Sequence, residues 1–173
     1  DYISFIPLIG IEIAIMSLVG KYMGAKDVKS AVRSTFSGLK AGLLYSLVCL
    51  ILFVWVPEPL VYMFKGNTDD AMFHQIAPLA IQMLQLASLY VLFDAIMVCL
   101  VGALRGAGDT YWTMWASITA HWSMAIVAYI MFEFFGYHVI SVWLAVIVVI
   151  IVFAMVLLHR FFQGKWKKIN VLK

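Results

Sequence analysis

Residues 139–158 read VISVWLAVIVVIIVFAMVLL, with no Asp, Glu, Lys or Arg. A helix of about 20 apolar residues is what the hydrocarbon core of a bilayer requires. A second uncharged run covers 43–56, and the same habit extends outward to the whole chain: 65% of the 173 residues are hydrophobic, 12% are charged and the mean hydropathy is +1.00. Soluble domains carry about 25% charged residues, and one soluble core could not cover this much apolar surface. Five apolar runs bounded by charges and breakers predict membrane helices at 2–22, 37–56, 76–104, 111–132 and 139–159. The expectation is an all-α integral membrane helical bundle of about five transmembrane helices, forming one domain over 1–173. Pro78 falls where the third run begins, and a first helical turn tolerates proline because its N–H has no intrahelical partner. The chain opens at Asp1 without an initiator Met or a signal-peptide pattern, and is read as a piece of a longer protein.

Charge distribution predicts orientation. Eleven of the twelve Lys and Arg fall after the first, third and fifth spans, leaving Lys65 alone on the other side. Such bias in short loops marks the cytoplasmic face, so a multi-pass protein of the plasma (inner) membrane with a cytoplasmic C-terminus is expected. The acids Glu58, Asp69, Asp70 and Glu133 read as solvated residues of the opposite loops, where Pro57 and Pro59 end the second span and Gly66-Asn67 offers a turn. The basic tail from Arg160 to Lys173 lies where anionic lipid head groups would be, which makes membrane lipid a partner and leaves no charge pattern calling for nucleic acid. Cys49 and Cys99 sit in apolar runs and read as packing residues. Trp55, Trp112, Trp143 and Trp166 fall near span ends, as an interfacial aromatic belt would.

Two segments at the basic end resemble each other, VGKYMGAKD at 19–27 and VGALRGAGD at 101–109, agreeing at five of nine positions. Glycine ends a helix, a basic residue suits its C-terminal dipole and Asp can cap the next helix. Internal repeats are common in transporters, and convergent capping explains nine residues equally well.

Four side chains within the spans can carry chemistry. Asp94 lies among Val91, Leu92, Phe93, Ala95, Ile96 and Met97. A carboxylate near the centre of a membrane helix costs about 2.5–3.5 kcal/mol to insert. Once there, it can hold a proton or a cation and so exchange one for the other; the alternative role is hydrogen bonding between helices. Tyr90, four residues earlier, shares its helical face with Asp94. Its phenol can bond the carboxylate or add an oxygen to a Na⁺ held by Asp94 and Tyr90 together. Glu12, in the first span, is a second intramembrane acid, and Gly10 and Gly20 beside it would let another helix approach closely. His121 in the fourth span, one turn after Ser117, can titrate near neutrality or serve as a hydrogen-bonded packing residue. Gln82, Gln85 and Ser88 either line an aqueous cavity or bond to neighbouring helices. Enzyme signatures such as HExxH, GxSxG and the P-loop are absent from the sequence. No enzyme activity and no cofactor beyond a coupling Na⁺ or H⁺ are expected.

The stretches FDAI at 93–96 and GALRGAGDT at 102–110, with LVGKYMGA at 18–25 and FFQGKWKKI at 161–169, resemble the C-terminal lobe of multidrug and toxic compound extrusion (MATE) transporters. The resemblance covers nearly the whole chain. It implies a parent of twelve helices in two six-helix lobes that exports cationic or amphiphilic small molecules in exchange for Na⁺ or H⁺, with a missing N-terminal lobe as partner of the five helices here. It also implies that Asp94 is the cation-coupling acid and Tyr90 its neighbouring ligand. Glu12, where the family usually places a small or apolar residue, leaves an altered coupling site open. Two other readings fit a polytopic chain. A lipid-linked precursor flippase would need basic residues within its spans, and a non-transporting scaffold subunit would tolerate loss of Asp94.

Overall fold

A computed structural model describes residues 2–65, 70–134 and 139–169. Within them the backbone forms seven α-helices: α1 (Tyr2–Gly24), α2 (Val28–Trp55), α3 (Pro57–Tyr62), α4 (Asp70–Ala87), α5 (Val91–Gly106), α6 (Thr110–Tyr129) and α7 (Val139–Gln163). A π turn, Ile130–Phe134, extends α6, and a 3₁₀ turn, Lys165–Lys168, follows α7. Four helices, α1, α2, α6 and α7, are long and apolar enough to cross a membrane, and α4 with α5 makes a fifth crossing if the bent pair is one span. The fold is thus an all-α membrane helical bundle. The Gly66-Asn67 turn and Asp69 lie outside the described residues.

Three helix limits differ from the sequence expectation. The basic stretch ahead of 37 is helical, so α2 begins at Val28, where Asp27 Oδ1 accepts a hydrogen bond from the Ser30 N–H at 3.1 Å. Its buried residues Ala31, Thr35, Gly42, Ser46, Cys49 and Phe53 recur every three, four or seven positions. They form one inward stripe that leaves the lysines outward. Secondly, α4 starts at Asp70, which puts Pro78 in the body of the helix. There the proline ring removes a backbone donor instead of occupying a free N-terminal position. The third difference, a break in the third span, concerns the candidate site below.

Helix α5 is the hub. Every residue from Val98 to Leu104 is buried, and a helix apolar and covered on all sides belongs at the centre of a bundle. It packs against α1, α2 and α7, while α6 leans on α7. Glycines on α5 allow the closest approach: a Cβ at Gly102 would meet the Glu12 carbonyl oxygen at 2.7 Å, and one at Gly106 would overlap the Met16 carbonyl oxygen. The spacing is GxxxG, which lets two backbones touch in a membrane where no hydrophobic force drives association. Of the two α1 glycines expected to serve this purpose, Gly10 has nothing within 4 Å, and Gly20 faces the Gly106 carbonyl at 3.4 Å. Cys99 is buried against α2, its Sγ donating to the Gly38 carbonyl at 3.7 Å.

The end of α7 is tied back to this core. Gly164, in the left-handed conformation (φ 68°), reverses the chain. Trp166 then stacks on Phe161 at 5.1 Å and donates Nε1–H to the Phe161 carbonyl at 2.9 Å. It is 1% exposed and a core residue, not a belt tryptophan. Arg160, expected among the lipid-facing basic residues, instead pairs with Asp109 at the start of α6.

Candidate cation-coupling site at the broken span

The apolar run 76–104 gave no local reason to stop, yet α4 and α5 meet at 54° across Ser88-Leu89-Tyr90. Three successive short bonds carry the bend: Ser88 N–H to Gln85 O, Leu89 N–H to Leu86 O and Tyr90 N–H to Ala87 O, at 3.1–3.2 Å. The buried Ser88 hydroxyl donates to the same Gln85 carbonyl at 2.6 Å, a serine competing for helix backbone acceptors. The ordinary pattern resumes with Asp94 N–H to Tyr90 O at 2.9 Å. Irregular backbone within a membrane span occurs where it is buried in protein or lines a cavity, typically at substrate and ion sites.

The break relocates Asp94. Read from the sequence it stands well inside a long helix; in the structure it lies in the first turn of α5, at the positive end of that helix's dipole. Its side chain is half-buried, and among the described residues its carboxylate has neither a hydrogen bond nor an ion pair. Tyr90, 5% exposed, occupies the N-cap position one turn earlier. Its ring meets Trp143 of α7 edge-on, centroids 6.3 Å apart. Both rings line a cavity of about 650 Å³ walled by α2, α3 and α4, with Tyr45, Phe53, Phe73 and Met83 among its other lining residues. Such a lining can accept flat apolar groups and, through ring faces and thioether, cationic ones. Gln82 and Gln85 are exposed on α4, while the Ser88 hydroxyl bonds back to the Gln85 carbonyl of that helix.

The other two candidates stand apart from this pair. Glu12 Oε1 accepts from Arg105 Nη1 at 3.0 Å, linking α1 to the last turn of α5 at the far end from Asp94. His121 lies on an exposed face of α6 with Nδ1 2.7 Å from the Ser117 carbonyl oxygen. Among the described residues no group of three or more His, Cys, Asp or Glu side chains converges. Trp143 and Arg105 are the partners that sequence reasoning missed. Each lies on a helix remote in sequence from the residue it meets, and no spacing rule links such positions.

A helical bundle with long apolar crossings, one of them broken beside a carboxylate, defines a multi-pass membrane protein of the helical-bundle class. Comparison narrows the class: the family model described as MatE matches residues 1–130, and the chain belongs to that family. It is 31% identical over 173 residues to a probable multidrug resistance protein NorM of Thermotoga maritima, covering 99% of this chain and 36% of that protein. It is also similar to a probable NorM of Pseudomonas aeruginosa, 27% identical over 72% of this chain and 25% of that protein, and to the NorM of Aliivibrio fischeri, 29% identical over 72% and 25%. The chain thus spans about a third or less of the length of these curated relatives. No solved structure matches it significantly.

Proposed function

We propose that this chain is most of one lobe of a secondary active transporter. In this reading the transporter exports cationic or amphiphilic small molecules in exchange for Na⁺ or H⁺, with Asp94 as the group that takes up the coupling ion. The observation that carries this reading is the half-buried Asp94 carboxylate at the bend between α4 and α5, without a hydrogen bond or ion pair among the described residues, in a chain of the MatE family. Relatives named as multidrug resistance proteins support drug export as the class of work. Binding at Asp94 favours one of two conformations, and coupling follows if substrate prefers the other. The aromatic cavity lined by Tyr90 offers that substrate a place one helical turn away. Under the charge rule the basic end faces the cytoplasm.

The test is ethidium efflux from cells or vesicles carrying the full-length parent under an imposed Na⁺ or pH gradient. Asp94→Asn is expected to abolish gradient-driven efflux at unchanged membrane abundance, whereas Glu12→Gln, which removes one charge from the pair with Arg105 at the far end of α5, leaves most of it. The gradient that drives the wild type identifies the ion. Retained efflux in Asp94→Asn sinks the assignment of the coupling acid. A parent that moves no drug but requires a stoichiometric protein partner favours the scaffold reading.

A further inference from the structure

The groove between α1 and α2 has a use that ion coupling does not call on. Its open volume is about 530 Å³, and its lining changes character along its length. Near the turn that joins the helices it presents Tyr22, Arg33, Ser34 and Ser37; deeper, it presents Ile11, Ala14, Leu18 and Ala41. Its floor is Ile15, 2% exposed and lodged against Gly38, where a Cβ would lie within van der Waals overlap of the isoleucine.

The polar end is short of anions. Between residues 21 and 40 stand Lys21, Lys26, Lys29, Arg33 and Lys40 against one acid, Asp27, and Asp27 is already engaged by Ser30. Among the described residues Arg33 has no carboxylate partner, in contrast to Arg105 and Arg160. The Ser34 and Ser37 hydroxyls make no hydrogen bond among the described residues, whereas Thr35, Thr113, Thr119 and Ser123 all donate back to a carbonyl of their own helix. An exposed guanidinium and two unspent hydroxyls on one helix face match the oxygens of a phosphate. The apolar continuation runs from that end toward the middle of the span, as an acyl chain does from its head group.

We propose that this groove is a binding site for one anionic phospholipid. Its phosphate lies against Arg33, Ser34 and Ser37, and one acyl chain lies along Ile11, Ala14 and Leu18. The site is independent of the Asp94 region, so it stands or falls apart from the transport reading.

The experiment is native mass spectrometry of the purified full-length protein in detergent, titrated with phosphatidylglycerol or with phosphatidylcholine of the same chain length. One phosphatidylglycerol is expected to be retained in preference to phosphatidylcholine. Arg33→Gln should weaken its binding about fivefold, the effect of removing one basic group near an anionic head group. Ser34→Leu, which fills the groove, should abolish it with the unfolding temperature retained. Lys167→Gln, in the basic tail, should leave it unchanged. Equal retention of the two lipids, unaltered binding in Arg33→Gln, displacement of the lipid by inorganic phosphate, or a groove covered by another helix of the full-length protein would each overturn the proposal.

Discussion

The turns at 19–27 and 101–109 share a backbone and differ in almost everything around it. Each closes its helix with a residue in the left-handed region, Lys26 (φ 58°) in the first and Gly108 (φ 88°) in the second. Each then makes the same two bonds: Asp27 N–H to Tyr22 O and Asp109 N–H to Leu104 O at 2.9 Å, Lys26 N–H to Met23 O and Gly108 N–H to Arg105 O at 3.0 Å. This is the Schellman pattern. The likeness of the two nine-residue segments is therefore a likeness of chain reversal. The aspartates part company: Asp27 caps α2 at the surface, while Asp109 receives Arg160 in a bidentate pair, Nε at 2.8 Å and Nη2 at 3.1 Å, with the guanidinium 4.9 Å from the Trp112 ring. One turn is left open on the α1–α2 side, and the other joins α5, α6 and α7. The same local instruction can end a helix or anchor three, according to what packs on it.

The largest expected difference comes from the two aspartates. Arg160→Ala leaves a buried Asp109 carboxylate unpaired and should cost about 3–5 kcal/mol, read as a fall in unfolding temperature in mixed micelles. Asp27→Ala, at the exposed turn, should cost far less, and equal losses would erase the distinction between anchor and cap. The glycines come next. Gly106→Ala drives a methyl into the Met16 carbonyl and should cost about 1–3 kcal/mol. Its counterpart Gly24 has nothing within 4 Å, so Gly24→Ala should be neutral or mildly stabilising; a comparable loss there would mean that both turns are packed. The left-handed positions should respond in opposite directions. Gly108→Ala is expected to lose about 1–2 kcal/mol, and Lys26→Gly to gain somewhat under that after the added chain entropy.

The smallest effect is one of pH. Hydrogen bonds from Ser30, with help from Lys29, hold the Asp27 carboxyl below its ordinary 3.8. Its capping contribution is therefore complete above that value and is lost as the pH falls through the lower folded one. Asp27→Asn should flatten the acid limb of the stability profile slightly, and an unchanged limb would remove the cap from the account.

Much of the fold was readable because it rests on local chemistry. Long apolar runs marked α1, α6 and α7, and glycine followed by Asp marked both turns. The start of α2 was missed for a physical reason: charges between 28 and 40 look like a loop until their spacing is seen to leave one face clear. The break at Ser88-Leu89-Tyr90 carries neither Gly nor Pro. At the bend the Ser88 hydroxyl takes the Gln85 carbonyl and the Tyr90 ring rests against Trp143, the second a contact between residues far apart in the chain. Asp94 was singled out because a carboxylate in an apolar run is conspicuous, but its place at a helix start depends on that bend. Glu12 looked equally conspicuous, and only packing brought Arg105 to it.

Composition and periodicity by themselves determined that the chain is an all-α membrane bundle and which acids stand within its apolar runs. These follow from burial of apolar surface and from backbone hydrogen bonding, which act over a few residues. Tertiary structure decided which acid is paired, which glycine is essential and where the third span bends. Those outcomes depend on which helices touch, and α5, buried at every position from Val98 to Leu104, makes most of those contacts.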